Sequence, residues 1–145
     1  MKKEFKKLMI VALEARNFSY APYSEYTVGA ALLCADGRIV TGSNIENASY
    51  GATVCAERTA FFKAVSEGEK DFVAIAIAGG KKDEEPVDFA YPCGVCRQVM
   101  REFCDETKFK VFVVKSETEY EEYVLGNLLP KSFGPNNLSD TSKKK

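Results

Sequence analysis

The sequence predicts an α/β domain in three layers, with a sheet between helices on both of its faces. The predicted elements follow the order helix, hairpin, helix, strand, helix, strand, and a further short strand. The stretch from Phe72 to Ala78 is entirely apolar, which is typical of a central strand buried on both faces. We expect one domain over residues 1–136, and a flexible tail over residues 137–145 that ends in three lysines.

The first part of the chain predicts a helix and a hairpin. Apolar residues recur at helical spacing over residues 2–16, which predicts an amphipathic helix with one buried face. Small and apolar residues then predict a buried strand over residues 27–34. Asp36-Gly37 is a hairpin signal, and it leads into a second strand through Ile39 and Val40.

Helices and strands are predicted to alternate in the rest of the chain. One helix is expected over about residues 53–67, because Gly68 is a typical helix stop. A second helix is expected from Cys93 to about Phe103. The charged stretch over residues 79–91 is expected to be a solvated surface loop. The remaining predicted elements are strands over residues 109–114 and 120–124 and a helical turn with Leu128 and Leu129.

Composition excludes several classes of function. The net charge of −1 gives no electrostatic attraction for nucleic acid. No apolar run could span a bilayer and no signal peptide is recognisable, so we expect a cytoplasmic protein with no membrane partner. The chain has five cysteines, and this odd number argues against a closed disulfide framework. Histidine is absent, so acid–base chemistry must use carboxylate, thiolate, lysine, tyrosine or metal-bound water.

Two short cysteine stretches predict a metal centre. Cys93 and Cys96 are three residues apart at the expected start of a helix, so both thiols point the same way. This is the short chelate spacing of a zinc site. Cys55 begins the other helix and is the expected third ligand. Three protein ligands leave one position of a tetrahedral zinc ion open, which distinguishes a catalytic zinc from a structural one.

The residues beside these cysteines indicate the reaction. Glu57 is a carboxylate near the expected metal that is free to move protons, and with zinc-activated water it fits hydrolytic deamination. Cys-x-Glu followed by Pro-Cys-x-x-Cys is the pattern of the zinc deaminases. Because three thiolates leave excess negative charge on the zinc cluster, we expect Arg58 and Arg97 to offset it.

Together with these motifs, the sequence resembles the cytidine deaminase family, specifically its small homotetrameric type. The resemblance runs from about residue 12 to residue 138 and rests on several independent stretches in the same order. These stretches are Ala21-Pro22-Tyr23-Ser24, Val28-Gly29-Ala30-Ala31-Leu32-Leu33, Asn44-Ile45-Glu46-Asn47-Ala48, Cys55-Ala56-Glu57-Arg58-Thr59-Ala60, Pro92-Cys93-Gly94-Val95-Cys96-Arg97-Gln98, and Leu128-Leu129-Pro130 with Phe133.

The resemblance implies a three-layer α/β/α sandwich with a central mixed sheet of about five strands. It implies one Zn²⁺ per subunit, held by Cys55, Cys93 and Cys96. Glu57 would be the catalytic proton shuttle, and Arg58 would donate to the ligand sulfurs. The implied reaction is zinc-dependent hydrolytic deamination of cytidine and deoxycytidine to uridine and deoxyuridine, with release of ammonia, in pyrimidine salvage.

The resemblance also implies the substrate contacts and a homotetramer with shared active sites. Asn44 and Glu46 would bind the ribose hydroxyls, although from spacing alone this stretch fits a solvated turn equally well. The main chain of Ala56 would read the pyrimidine edge. Tyr26 stands where the family usually has a phenylalanine that stacks on the base. Phe133 is similar to the family's C-terminal aromatic that enters a neighbouring subunit's site.

The sequence leaves two alternative functions open. The first is deamination of another cytosine nucleoside, such as a nucleoside antibiotic. The second is a non-catalytic structural zinc-binding module, which would need a fourth ligand from Cys34 or Cys104. We otherwise expect both of these thiols to pack in the core. A polynucleotide-editing deaminase is disfavoured, because the chain is nearly neutral and contains no tryptophan.

Overall fold

A mixed five-stranded sheet forms the centre of the computed structural model, which describes residues 1–138. Its strands are β1 (Tyr26–Cys34), β2 (Ile39–Ser43), β3 (Phe72–Lys81), β4 (Lys110–Val114) and β5 (Tyr120–Val124). They lie side by side in the order β2-β1-β3-β4-β5. β3 and β4 are parallel, whereas all other neighbours are antiparallel.

Helices cover both faces of this sheet. Helix α1 (Lys3–Ala15) packs on one face, and α2 (Ala56–Ser66) and α3 (Gly94–Phe103) pack on the other. Two helices of a single turn follow β5, namely α4 (Leu125–Leu128) and α5 (Pro135–Leu138). The predicted three-layer α/β/α sandwich with a central sheet of five strands is therefore confirmed. Within residues 1–138, no helix is both long and apolar enough to cross a membrane.

The central strand β3 separates the two halves of the core. Its side chains alternate between the faces of the sheet, as strand geometry requires. Ile75 and Ile77 face α2 and α3, whereas the small side chains of Ala74, Ala76 and Ala78 face α1. Burial on both faces explains why the strand contains no polar residue in this stretch.

Gly42 in β2 allows α2 to lie close to the sheet. A Cβ atom at this position would clash with the carbonyl oxygen of Ala56 and would lie 2.5 Å from the amide nitrogen of Ala60. Neither backbone atom can move without displacing the helix, so this close approach requires glycine. Ala56 lies between Cys55 and Glu57, and the same contact therefore positions the predicted metal ligand and the predicted acid–base group.

Two element boundaries differ from the sequence prediction. Helix α2 begins at Ala56 rather than near residue 53, because residues 50–52 form a separate 3₁₀ turn and Val54 pairs with Ile45 in an isolated bridge. Strand β3 continues to Lys81, because the start of β1 pairs with its last three residues. The stretch over residues 79–91 is therefore part strand and part loop.

The predicted tail over residues 137–145 overlaps the described chain at its first two residues. Asn137 and Leu138 belong to α5. Residues 139–145 lie outside the described residues, so the predicted flexibility of this part stays a prediction.

Candidate active site and metal centre

Three cysteine thiols meet at the N-terminal ends of α2 and α3. Cys55 is the residue immediately before α2, Cys93 immediately precedes α3, and Cys96 lies in the first turn of α3. The Sγ atoms of Cys55 and Cys93 are 3.8 Å apart, and those of Cys93 and Cys96 are 3.6 Å apart. All three sulfur atoms lie within 4.8 Å of one another. The two helix starts thus converge, as a shared metal site requires.

The sulfur separations fit a zinc ion. A tetrahedral zinc with Zn–S bonds of about 2.3 Å places its sulfur ligands about 3.8 Å apart. The separations of 3.8 Å and 3.6 Å agree with that value. The dipoles of two helix N-termini also favour the thiolate form that zinc binds.

The ionisation of the three thiols is a second test of whether they could bind a zinc ion. Hydrogen bonds from the Cys96 thiol and the Arg58 guanidinium lower the pKa of Cys55 to about 5. The pKa of Cys96 is raised instead, because its thiol donates a hydrogen bond to Cys55 and is buried. Three adjacent thiols cannot all ionise without a cation between them. A divalent soft metal supplies that cation, so the donor set suits Zn²⁺.

No fourth ligand of a structural zinc site joins the cluster among residues 1–138. Cys34 lies elsewhere, beside Asp36 and Glu69 at the end of the β1–β2 hairpin. Cys104 follows α3 and is buried in the core. Both thiols are packed as predicted, and the described residues give no support to a closed four-ligand site.

Glu57 lies in the first turn of α2, beside the cysteine cluster. Only 4% of this residue is exposed, although it carries a carboxyl group. It is not one of the three residues of the metal-binding group. Burial raises the pKa of Glu57 to about 7. Near neutral pH the carboxyl group can therefore both accept and donate a proton, as a general acid–base catalyst must.

The two arginines predicted to offset the thiolate charge differ in position. Arg58 Nη2 donates to Cys55 Sγ at 3.4 Å, in agreement with the prediction for this residue. Its Nε is buried, and no hydrogen-bond partner for it lies among the described residues. The expectation for Arg97 was wrong, because its Nε and Nη1 both donate at 2.7 Å to main-chain carbonyls, those of Pro92 and Leu128. Arg97 thus fixes the loop before Cys93 and the end of α4.

A cavity of about 320 Å³ opens beside the cluster, and its size suits a small molecule. Its lining residues come from β1, the loop after β2, the start of α2, β3 and the loop before α3. They are Tyr26, Val28, Asn44, Thr53, Val54, Cys55, Ala56, Glu57, Ile77, Ala90, Tyr91 and Cys93. The cavity therefore has an apolar wall, and the acid–base group and two of the three thiols also line it.

Asn44 and Glu46 lie at the edge of this region. The Asn44 side chain links to β1, because its Oδ1 accepts from the Val28 amide at 2.8 Å and its Nδ2 donates to the Tyr26 carbonyl at 2.8 Å. Glu46 lines an adjoining pocket of about 320 Å³ that shares Thr53 with the cavity. Each side chain keeps hydrogen-bonding capacity beyond the bonds it makes here.

Glu46 is held rigidly by the loop that precedes β1. Its Oε1 accepts from the main-chain amides of Tyr23 and Ser24, and its Oε2 accepts from the Ser24 hydroxyl. These bonds, that of the Ser24 hydroxyl first, lower the pKa of Glu46. The carboxylate is therefore ionised and fixed in orientation, ready to accept a hydrogen bond from a ligand hydroxyl.

Phe133 lies outside the cavity. Its side chain is 56% exposed, and its carbonyl accepts a bond from Gln98 on α3. A large exposed aromatic beyond the site agrees with a contact to another molecule. The structure thus brings Tyr26, Asn44, Ala56 and Glu57 together at the cavity, Glu46 next to it, and Phe133 elsewhere.

Tyr91 is a cavity residue that the sequence analysis missed. Its hydroxyl donates to Glu121 Oε1 at 2.6 Å, and the Tyr123 hydroxyl donates to the same oxygen at 2.6 Å. Ala90 also lines the cavity. Tyr91 is nevertheless 49% exposed, and the charged side chains of residues 81–85 are exposed, as expected for a solvated surface. The only available signal was their position directly before Pro92-Cys93, since Phe89 and Tyr91 alone do not establish a periodicity in a charged stretch.

Comparisons with known proteins agree with this geometry. The family model of the cytidine and deoxycytidylate deaminase zinc-binding region matches residues 2–113. The chain is 48% identical over 129 residues to a cytidine deaminase of Halalkalibacterium halodurans, covering 89% of this chain and 93% of that protein. It is 46% identical to a cytidine deaminase of Sporosarcina psychrophila over 94% of this chain and 96% of that one. A solved cytidine deaminase structure from Burkholderia pseudomallei matches with a TM-score of 0.80 and 41% identity, over 92% of this chain and 100% of that chain.

Proposed function

The chain belongs to the cytidine and deoxycytidylate deaminase family, and from this premise we propose that it hydrolyses cytidine and deoxycytidine to uridine and deoxyuridine with release of ammonia. Because this reaction converts existing pyrimidine nucleosides into others that the cell can reuse, the proposed role is pyrimidine salvage. The observation that carries the proposal is the buried Glu57 carboxyl, which lines the same cavity as Cys55 and Cys93 without belonging to the metal-binding group.

Cys55, Cys93 and Cys96 would hold the zinc ion. When bound, zinc supplies a water whose pKa is lowered towards neutrality, so that a hydroxide nucleophile is available. Arg58 stabilises the thiolate of Cys55 through its hydrogen bond to that sulfur. The start of α2 and the residue before it therefore contribute a ligand, its charge partner and the acid–base group within four consecutive residues.

Glu57 carries the protons of the reaction. Its carboxylate accepts a proton from the attacking water and delivers it to the ring nitrogen of cytosine. The second proton of the water, from the hydroxyl group now on C4, then passes through Glu57 to the exocyclic amine; the bond between C4 and this amine breaks, ammonia leaves, and the C4 carbonyl of uracil forms. A pKa near 7 allows one carboxyl group to take and give protons in the same cycle.

The remaining cavity residues orient the nucleoside. Tyr26 lines the cavity, and its ring would stack on the pyrimidine. The main chain of Ala56 would bond the polar edge of the base. Asn44 and Glu46 would bind the ribose hydroxyls, because each keeps hydrogen-bonding capacity beyond its bonds to the protein. The apolar side chains of the cavity wall, among them Val28 and Ile77, would contact the base.

We also propose a homotetramer whose active sites are shared between subunits. The exposed Phe133 ring supports this assembly, because it lies outside its own cavity and is free to enter another. A cytoplasmic location is part of the same proposal. Its support is chemical, since the site uses free thiols that a reducing compartment preserves.

A panel of substrates tests the proposed specificity. Zinc-loaded protein is incubated with cytidine, deoxycytidine, free cytosine, deoxycytidylate and a cytosine-nucleoside antibiotic, and ammonia release is measured for each. We expect conversion of both nucleosides, with free cytosine much slower because it cannot reach Asn44 and Glu46. Faster conversion of deoxycytidylate than of deoxycytidine would contradict the nucleoside assignment. Conversion of a cytosine-nucleoside antibiotic alone would favour the alternative substrate.

A further inference from the structure

Arg101 on α3 bonds the chain segment that carries Phe133 at two points. Arg101 Nε donates to Ser132 Oγ at 2.9 Å, and Arg101 Nη2 donates to Asn136 Oδ1 at 2.9 Å. These two acceptors lie on either side of Phe133 in the sequence, so a single guanidinium holds both ends of the turn. Only 12% of the Arg101 side chain is exposed, which shields these bonds from competition by water.

Glu106 completes this network. Its Oε2 lies 3.2 Å from Arg101 Nε and accepts a hydrogen bond from Ser132 Oγ at 3.1 Å. The guanidinium, the hydroxyl and the carboxylate therefore contact one another pairwise. Such charge-assisted bonds are stronger and more directional than neutral ones, so the network fixes the orientation of the turn.

Gly134 is required by the same network. A Cβ atom at this position would clash with the guanidinium carbon of Arg101 and would lie 2.5 Å from its Nη1. The guanidinium is held on both sides by Ser132 and Asn136, so it cannot move away without losing those bonds. Any residue larger than glycine would therefore displace Arg101.

Phe133 has a fixed main chain and an exposed ring. Its carbonyl accepts a bond at 2.8 Å from Nε2 of Gln98, which lies one turn before Arg101 on α3. Its side chain is nevertheless 56% exposed. Ordering a turn costs conformational entropy, and here the structure orders the turn while leaving its largest apolar side chain in solvent. A fixed main chain with an exposed ring is what we expect of an aromatic residue that contacts the surface of another molecule.

We propose that Arg101, together with Gly134, is a positioning residue that holds Phe133 in the orientation in which it enters a neighbouring subunit's active site. The inference rests on the proposed function of Phe133. Helix α3 would then have two roles. Cys93 and Cys96 at its start would bind zinc, and Gln98 and Arg101 further along would position Phe133. One rigid element then fixes the zinc ligands of its own site and the aromatic residue of the next.

The first test measures the mobility of residue 133 directly. The chain contains no tryptophan, so Phe133→Trp introduces a single tryptophan into the full-length, zinc-loaded protein, and this probe can be excited selectively over the seven tyrosines. Time-resolved anisotropy separates nanosecond local motion from tumbling of the whole molecule. In this background we expect Arg101→Ala and Gly134→Ala each to shift the decay from slow tumbling to fast local motion.

Arg38→Ala is the matched control for this measurement. Arg38 also pairs with a glutamate, Glu67, but this pair is exposed and has no bond to the C-terminal segment. We expect its decay to equal that of the parent protein. Unchanged anisotropy in both the Arg101→Ala and the Gly134→Ala protein would overturn the proposal.

The second test measures whether Arg101 acts through Phe133. We expect Arg101→Ala and Gly134→Ala each to raise KM for cytidine about tenfold, as expected for the loss of a charge-assisted hydrogen bond. Zinc content and kcat should remain at the wild-type level. In a Phe133→Ala background, the same changes should have no further effect on KM, because only the position of the ring is lost. An equal rise of KM in both backgrounds would overturn the proposal.

A conservative variant separates positioning from charge. Arg101→Lys keeps the positive charge, but one ammonium group lacks the planar fork that reaches Ser132 and Asn136 together. We expect it to behave like Arg101→Ala, whereas full rescue would contradict the geometric argument. If Phe133→Ala itself leaves KM unchanged, the proposed role of the ring fails. That outcome is distinguishable from failure of the Arg101 network, which the anisotropy measures independently.

Discussion

Glu57 is the residue on which the proposed chemistry depends most. It lies two positions after the proposed metal ligand Cys55, is 4% exposed, and has a pKa raised by burial to about 7. We expect Glu57→Gln to keep its zinc, because no thiol is changed, and to lose kcat by a factor of about 100 to 10,000. Zinc content and steady-state kinetics measure the two effects. Turnover close to that of the wild type would disprove the shuttle, and Glu122→Gln on the exposed side of β5 serves as the control.

Arg58 tests the charge balance of the metal centre. Arg58→Ala removes the hydrogen bond to Cys55 Sγ and leaves the thiolate charge without a partner. We expect zinc affinity to fall by a factor of about 10 to 100, the usual effect of losing a group that supports a metal ligand. Competition with a chromophoric chelator measures this loss, with Arg38→Ala as the control. Equal zinc affinities in the two variants would refute the role of Arg58.

At the residue scale, the sequence predicted those candidate site residues whose chemical role requires a fixed spacing along the chain. The interval between Cys93 and Cys96 and the position of Glu57 after Cys55 are such spacings. Arg97 and Tyr91 were not predictable in this way. Either arginine beside a cysteine could face the sulfurs, and only the helix geometry directs Arg58 towards them and Arg97 towards the carbonyls of Pro92 and Leu128.

At the scale of elements, the site depends on how closely α2 lies against β2. Gly42→Ala forces a methyl group between the strand and the first turn of the helix. We expect a loss of about 1–3 kcal/mol in the free energy of unfolding, as is typical of overpacking, and reduced zinc retention. Urea unfolding at equal protein and zinc concentrations measures the loss.

Gly51→Ala is the matched control for this element. A Cβ atom at Gly51 would have no neighbour within 4 Å, so we expect its stability to stay within about 0.5 kcal/mol of the wild type. Comparable stability of the two variants would show that the contact between Gly42 and α2 does not limit the approach of the helix.

The elements themselves were largely predictable, and their ends were not. Helical periodicity, apolar runs, the Asp36-Gly37 hairpin signal and the cysteine stretch before α3 together predicted each described element apart from α5 and the 3₁₀ turns. The start of α2 was predicted too early because tertiary pairing overrides local pattern: Val54 bonds to Ile45 and stays extended. The extension of β3 to Lys81 has the same cause, since it depends on pairing with β1.

At the scale of the whole molecule, the question is whether one subunit completes the site of another. Phe133→Ala and Glu57→Gln subunits can be mixed under conditions that allow exchange. A site with an intact Glu57 would then receive Phe133 from its Glu57→Gln neighbour. We expect the mixture to recover the low KM for cytidine that the Phe133→Ala protein lacks. If the sites are not shared, the mixture will keep the KM of the Phe133→Ala protein.

The central claim is zinc-dependent deamination of cytidine at the Cys55, Cys93 and Cys96 cluster. The most direct test follows the ultraviolet change from cytosine to uracil in purified protein as isolated, after zinc removal, and after zinc is restored. We predict conversion in the first sample, none in the second and recovery in the third. Conversion that persists without zinc would contradict the account, and so would a folded, zinc-loaded protein that leaves cytidine and deoxycytidine unchanged.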